Sequence, residues 1–262
     1  MQSVQNKTIK KIKKQGRKQM KNFKNKIVVI TGAGSGMGRS YALEFARLGS
    51  ILALNDFDKK GLDETIRLVA QKFPKIKVLG KAFDVSHRDA MYDFAEQVKL
   101  TFGHAHVIIN NAGIPGGGQP VWSMQDDDYK RVIDINFFGV VHGTRAFLPH
   151  LIANQEGAVV NVSSIFGLVG TPGNSDYCAA KFAVRGFTES LMVELFNTPI
   201  QVHLVHPGGI KTNIAKASNS EFGAEFEDKY LKTTPDDIVK YVIKKIKQNE
   251  PRIVYGYQAR RV

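Results

Sequence analysis

The chain has a single cysteine, Cys178, in 262 residues, so it can form no intramolecular disulfide and no cysteine-based metal site. Its seven histidines are scattered, and none pairs with a carboxylate at a spacing such as HExxH, so no metal is expected. No apolar run approaches the roughly 18 residues of a membrane-spanning helix. The basic N-terminus is not followed by the apolar stretch of a signal peptide. These absences predict a reducing, cytoplasmic setting, with peripheral membrane contact as the one departure. Acid is missing from residues 1–26, which hold ten of the 37 Lys/Arg, while the other 27 basic residues face 24 acidic ones. The formal net charge of +13 is therefore concentrated in an arm, and the body carries only about +3.

The arm, residues 1–25, is open to three readings. A lysine-dense segment repels itself and has little to bury, which predicts disorder. Ile9, Ile12, Met20 and Phe23 would alternatively form a narrow apolar stripe, interrupted by Gly16, on an amphipathic helix lying on an anionic membrane surface. Contact with an acidic protein or nucleic acid is the third reading, and nucleic acid is not an expected partner.

What is present after the arm is alternation. "KIVVIT", "ILALN", "IKVLGKAF", "HVIIN", "AVVNVS" and "IQVHLVH" are short β-branched runs that suit strands buried on both faces. Helix-length stretches separate them: 36–48, 59–73, 87–102, 126–153 with a break, and 175–196. This order predicts one α/β domain over 26–262, a Rossmann-type, doubly wound parallel sheet with helices on both faces. An irregular segment, about 213–234, precedes "TPDDIVKYVIKKI", where Thr234 and Pro235 read as a helix start.

Directly after the first strand stands "TGAGSGMG", Thr31 to Gly38, opening a helix. Glycines there let the backbone turn sharply and approach a pyrophosphate, and the helix N-terminus supplies free N–H groups. The bland reading is a tight turn that permits close helix packing. Asp56 ends the second strand about 20 residues later, where an acid can accept hydrogen bonds from a ribose and would repel a 2′-phosphate. It reads otherwise as a loop acid. Further along, Tyr177 and Lys181 in "YCAAK" are four residues apart, so on a helix they share a face. An ammonium beside a phenol favours the phenolate and predicts a depressed tyrosine pKa; alone, the spacing equally fits two half-exposed side chains with wet tips.

Taken together, these motifs resemble the short-chain dehydrogenase/reductase family across essentially all of the chain after about residue 25. "TGAGSGMG" matches TGxxxGxG, Asp84 and Val85 match the pair that contacts adenine, "NNAG" matches the turn after the fourth strand, and "PGGIKT" resembles PGxxxT. Ser164, thirteen residues before Tyr177, and Asn136 in "DINFFG" stand at the positions of the other tetrad members. The resemblance implies an NAD(P)-dependent enzyme in which Tyr177 is the acid/base, Ser164 hydrogen-bonds the substrate oxygen, Lys181 binds the nicotinamide ribose, and Asn136 positions a water. It implies cofactor contacts from Gly32, Ser35, Gly36, Met37, Gly38, Asp56, Asp84, Val85, Asn111, Ala112, Gly113, Tyr177, Lys181, Pro207, Gly208, Ile210 and Thr212. It also implies a mobile substrate lid at about 213–234, and a homodimer or homotetramer. Asp56, with no cation at Asn55 or Phe57, favours NAD over NADP.

Apolar residues follow the serine, and with no carboxylate or phosphate clamp in view Ser164, Ile165, Phe166 and Tyr177 are expected to meet an apolar alcohol or ketone. Two alternatives stay open. One is a 3-oxoacyl-(acyl-carrier-protein) reductase, with the arm docking an acidic carrier; the other is a non-catalytic cofactor-binding or tethering module.

Overall fold

The computed structural model describes residues 20–211 and 233–256. Seven parallel strands form one sheet in the order β3-β2-β1-β4-β5-β6-β7. They are β1 (Ile27–Thr31), β2 (Ile51–Asp56), β3 (Val78–Ala82), β4 (Val107–Asn110), β5 (Gly157–Val162), β6 (Ile200–Pro207) and β7 (Arg252–Tyr255). Between them run α1 (Gly36–Arg47), α2 (Lys59–Lys72), α3 (Arg88–Phe102), α4 (Asp126–Ile133), α5 (Gly139–Asn154), α6 (Ser175–Glu194) and α7 (Pro235–Lys247). The fold is the Rossmann-type arrangement that the alternation predicts.

Why the strands are apolar throughout is visible on β1, all five residues of which are buried. Val28 and Ile30 face one core layer with Tyr41, Phe45, Leu62 and Val242, while Ile27 and Val29 face the other with Phe94, Phe147 and Leu191. Side chains alternate across a strand, so a sheet covered on both sides needs apolar residues at every position. Each such Val or Ile contributes about 1.5–3 kcal/mol by burial. β3 departs from the expectation of burial on both faces: it is an edge strand, and its residues are half-buried or exposed. The expected break in the long fourth helix is a π-helical turn, Asp134–Phe138, between α4 and α5.

The arm also ends earlier than its composition suggests. Met20 and Phe23 are 1% exposed and belong to the core. The Phe23 ring meets Phe45 edge-on at 5.1 Å. Its carbonyl accepts from Ser50 Oγ at 2.9 Å, and Asn25 N donates to Gly49 O at 2.8 Å. Residues 1–19 and 212–232 lie outside the described residues, and with them all but the last two residues of the expected lid at about 213–234. Thr234 caps α7 by accepting from Asp237 N, with Pro235 in the first turn. Among the described residues no helix is long and apolar enough to cross a membrane, and no cluster of three or more His, Cys, Asp or Glu side chains is arranged to hold a metal.

Candidate active site

The predicted site residues converge at the carboxyl ends of β1, β2, β4, β5 and β6. Gly32 turns the chain with φ +65°, and a Cβ on Gly38 would run into the Gly32 carbonyl. The turn therefore requires glycine at both positions. Ser35 is the N-cap of α1 but makes no side-chain capping bond, and the first turn, from Gly36, Met37 and Gly38, contains no acid. The N-terminal N–H groups and the positive end of the helix dipole are thus left for an anion. Met37 and Gly38 are buried and Ser35 is exposed.

Asp56 closes on this turn. Its Oδ2 accepts from Gly34 N at 2.7 Å and its Oδ1 from Asp58 N at 2.8 Å. Arg39 braces the same place: its guanidinium donates to the carbonyls of Gly34 and Gly61, and its Nε to Thr65 Oγ1 at 2.9 Å. Phe83 N donates to Asp56 O at 3.1 Å, which brings Asp84 and Val85 alongside. Asp84 Oδ1 accepts from Ser86 N at 2.9 Å, and Val85 is buried against Gly139. Asn111 and Ala112 are fastened to β1, their N–H groups donating to Thr31 Oγ1 at 3.0 and 3.1 Å. The glycine turn, its uncapped helix and the carboxylate beside it fit a dinucleotide: a cradle for pyrophosphate, with an acceptor for ribose hydroxyls.

The four tetrad residues sit beyond Gly113. A Cβ placed there would lie 2.8 Å from Asn136 Oδ1 and 3.6 Å from Lys181 Nζ. Asn136, fully buried within the π turn, holds Ile114 at both ends: its Oδ1 accepts from Ile114 N at 2.8 Å and its Nδ2 donates to Ile114 O at 2.9 Å. Because that amide is occupied by backbone, Asn136 fixes the loop after β4. Ser164 follows β5 as the N-cap of a 3₁₀ turn, its Oγ accepting from Phe166 N at 3.2 Å, and its hydroxyl is close enough to the Tyr177 phenol to favour the phenolate. Tyr177 and Lys181 share one face of α6, with Lys181 Nζ 5.5 Å from the tyrosine ring centroid. Lys181 is 3% exposed and donates to Val162 O at 3.2 Å. Lys181 is thus not a wet-tipped surface side chain, and Tyr177 is half-buried.

The titration of this pair differs from the expectation of a depressed phenol. Burial pushes Tyr177 up to about 12, against which the Ser164 hydrogen bond pulls it down. Burial likewise brings Lys181 down to about 8. Desolvation is the largest cause of both shifts, since removal from water disfavours the charged form of either group. At neutral pH the phenol holds its proton.

Around the tetrad, Phe166 meets Tyr177 edge-on at 6.2 Å between centroids, and Ile165 is buried in a 3₁₀ turn. Gly208 N donates to Tyr255 O at 2.7 Å, Pro207 pairs with Tyr255, and Ile210 is buried beside Thr233. Thr212 lies outside the described residues. His206 is buried, with Nδ1 2.8 Å from the Ser164 carbonyl, so it holds the serine's backbone. Trp122 is 86% exposed. One functional candidate has no counterpart among the expected residues: Asp176, wholly buried and adjacent to Tyr177. Its only sequence signal is an acid in the first turn of the helix that bears the tyrosine.

A family model described as short chain dehydrogenase matches residues 26–222. A Mycobacterium tuberculosis protein named as an oxidoreductase, SadH, is 43% identical over 252 residues, 93% of this chain and 90% of that protein. Human epidermal retinol dehydrogenase 2 is 42% identical over 200 residues, 75% of this chain and 64% of that protein. Among solved structures, a short-chain dehydrogenase/reductase from Burkholderia phymatum in complex with NAD superposes with a TM-score of 0.82 at 30% identity, over 89% of this chain and 90% of its own. A metagenomic short-chain oxidoreductase in complex with NADP superposes with a TM-score of 0.74 at 26% identity, over 89% and 97%.

Proposed function

The chain belongs to the short chain dehydrogenase family, and from that premise we propose that it moves a hydride between NAD(H) and an apolar secondary alcohol or ketone. One observation carries the reading. Ser164, Tyr177 and a buried Lys181 are brought together beside an uncapped glycine turn, with the Ser164 hydroxyl near enough to the phenol to pull its pKa down. A non-catalytic binder would have no use for that pairing of hydroxyls.

The dinucleotide, when bound, supplies the hydride donor or acceptor. The chain's own residues do the rest. Gly32, Ser35, Gly36, Met37 and Gly38 would cradle the pyrophosphate, Asp56 would accept from the adenosine ribose, and Asp84 and Val85 would flank the adenine. Asn111 to Gly113, Lys181, Pro207, Gly208, Ile210 and Thr212 would hold the nicotinamide half. Ser164 donates to the substrate oxygen as charge develops on it. Tyr177 holds the transferable proton at Oη and gives it to that oxygen in the direction of reduction. Lys181 keeps a positive charge near the phenol. The Asn136 amide fixes the loop wall of the pocket.

The preference for NAD rests on Asp56, whose carboxylate beside the glycine turn would repel a 2′-phosphate; the same carboxylate weighs against an NADPH-linked 3-oxoacyl reductase. The apolar substrate class rests on Ile114, Ile165 and Phe166, and the retinol dehydrogenase among the relatives is in keeping with it. The test is a panel of lipophilic ketones and carrier-bound 3-oxoacyl compounds incubated with NADH or NADPH. NADH oxidation with an apolar ketone supports the reading. Turnover confined to NADPH and carrier-bound compounds would replace it with the reductase alternative.

A further inference from the structure

The loop that follows β4 reaches the tyrosine helix at Asp176. The residue is 0% exposed, and among the described residues no cation lies within ion-pair distance of it. A buried carboxylate is costly unless hydrogen bonds replace its hydration. Here two backbone N–H groups do so: Oδ2 accepts from Gly117 N at 2.8 Å and Oδ1 from Tyr177 N at 2.7 Å. The second is one of the free donors at the start of α6, where the N-cap residue Asn174 makes no capping bond and its side chain turns back to Pro172 O. The first comes from another segment, 59 residues away. At Gly116 an added Cβ would sit 2.7 Å from Asp176 Oδ1 and 3.0 Å from Tyr177 Cβ. The loop backbone thus presses on the acid and the tyrosine together, and only glycine allows that approach. At its other end the same loop is held by the Asn136 amide on Ile114.

We propose that Asp176 is a positioning residue that latches the Gly113–Gly118 loop to the first turn of the Tyr177 helix, and thereby sets the width of the pocket in front of Tyr177. A capping role alone would need only the bond to Tyr177 N. The bond to Gly117 N serves the loop, and the rigid two-point hold on Ile114 to Gly117 fixes how bulky a ketone can reach the Tyr177 and Ser164 hydroxyls. Asparagine at 176 could accept one of the two bonds but would turn its NH₂ towards the other N–H, so it is a half-latch. Alanine removes both.

The pocket part of the proposal rests on the dehydrogenase reading; the latch itself does not, so two measurements are paired. Hydrogen exchange of the Gly117 amide is followed in wild type, Asp176→Asn and Asp176→Ala, together with NADH affinity. Ketone reduction is then measured with one slim and one bulky substrate. Gly117 exchange should rise tenfold or more in Asp176→Ala and by less in Asp176→Asn. The KM of the slim ketone should rise about tenfold while its kcat changes less than threefold and NADH affinity less than twofold. The ratio of kcat/KM for bulky over slim substrate should increase. Gly116→Ala, which pushes the loop off from the other side, should give the same pattern. If Asp176→Ala does not fold, Asp176→Asn and Gly116→Ala carry the test. Unchanged Gly117 exchange would overturn the latch whether or not any ketone is turned over. A lower melting temperature with an unchanged bulky-to-slim ratio would reduce Asp176 to a helix cap.

Discussion

At the scale of single residues, the chemistry turns on where charges are placed. Asp56 is the plainest case. Its carboxylate already accepts two backbone N–H bonds at the glycine turn, so a 2′-phosphate brought there would meet a fixed negative charge. NAD should exceed NADP in kcat/KM by about tenfold or more, and Asp56→Ser should narrow that gap. Steady-state kinetics with both cofactors checks it, and a wild-type preference for NADP would remove Asp56 from the ribose. Lys181 makes a second prediction. Removing its cation destabilises the phenolate and raises the tyrosine further, so Lys181→Ala should move the alkaline rise of alcohol oxidation to higher pH. In wild type that rise should already lie well above neutrality, because Tyr177 is pushed up to about 12. Residue types and spacings made these positions legible in the sequence. The direction of the tyrosine shift was not, because it depends on how dry the cleft is, which no spacing reports.

At the scale of elements, the strands and helices were legible to within one to three residues wherever apolar runs alternate with amphipathic ones. Three features were not. The break expected within 126–153 was legible, but its form as a π turn at Asp134–Phe138 was not, because one extra residue per turn leaves no compositional mark. β3 reads like the central strands, but a place at the sheet edge is a matter of topology, not of the strand's own sequence. Phe23 lies in a lysine-dense segment whose charge hides the anchor, although its ring packs on Phe45 and its carbonyl accepts from Ser50. Phe23→Ala should therefore cost about 3–5 kcal/mol, as for a core phenylalanine. Urea denaturation of the variant measures this, and a loss under about 0.5 kcal/mol would return Phe23 to the arm.

At the scale of the whole molecule, charge and burial set how the protein responds to its surroundings. His150 and His203 are buried and both fall to about 4, chiefly through desolvation. Their unfolded value near 6.5 is higher, so between pH 6.5 and 4 the unfolded chain binds protons that the native state refuses. Stability is thus fully present above about pH 6.5 and lost as pH falls towards 4, by up to roughly 3 kcal/mol for each histidine. Urea midpoints at pH 7, 6 and 5 should decline in that order, and a flat series would contradict the burial of these rings. With seven Lys/Arg in residues 1–19, the full chain is expected to sediment with anionic vesicles more than a chain starting at Met20 does, and less so as salt rises; equal sedimentation at low salt would contradict this. The central claim, however, is that Tyr177 delivers a proton to the oxygen of a carbonyl group that Ser164 hydrogen-bonds and a hydride reduces. The most direct test is single-turnover oxidation of bound NADH by an apolar ketone in wild type and in Tyr177→Phe, which removes one hydroxyl. The rate should fall by about a hundredfold or more, with NADH affinity and the melting temperature little changed. A Tyr177→Phe enzyme that oxidises NADH at the wild-type rate would contradict the mechanism and leave the Tyr177 and Lys181 spacing as helix packing.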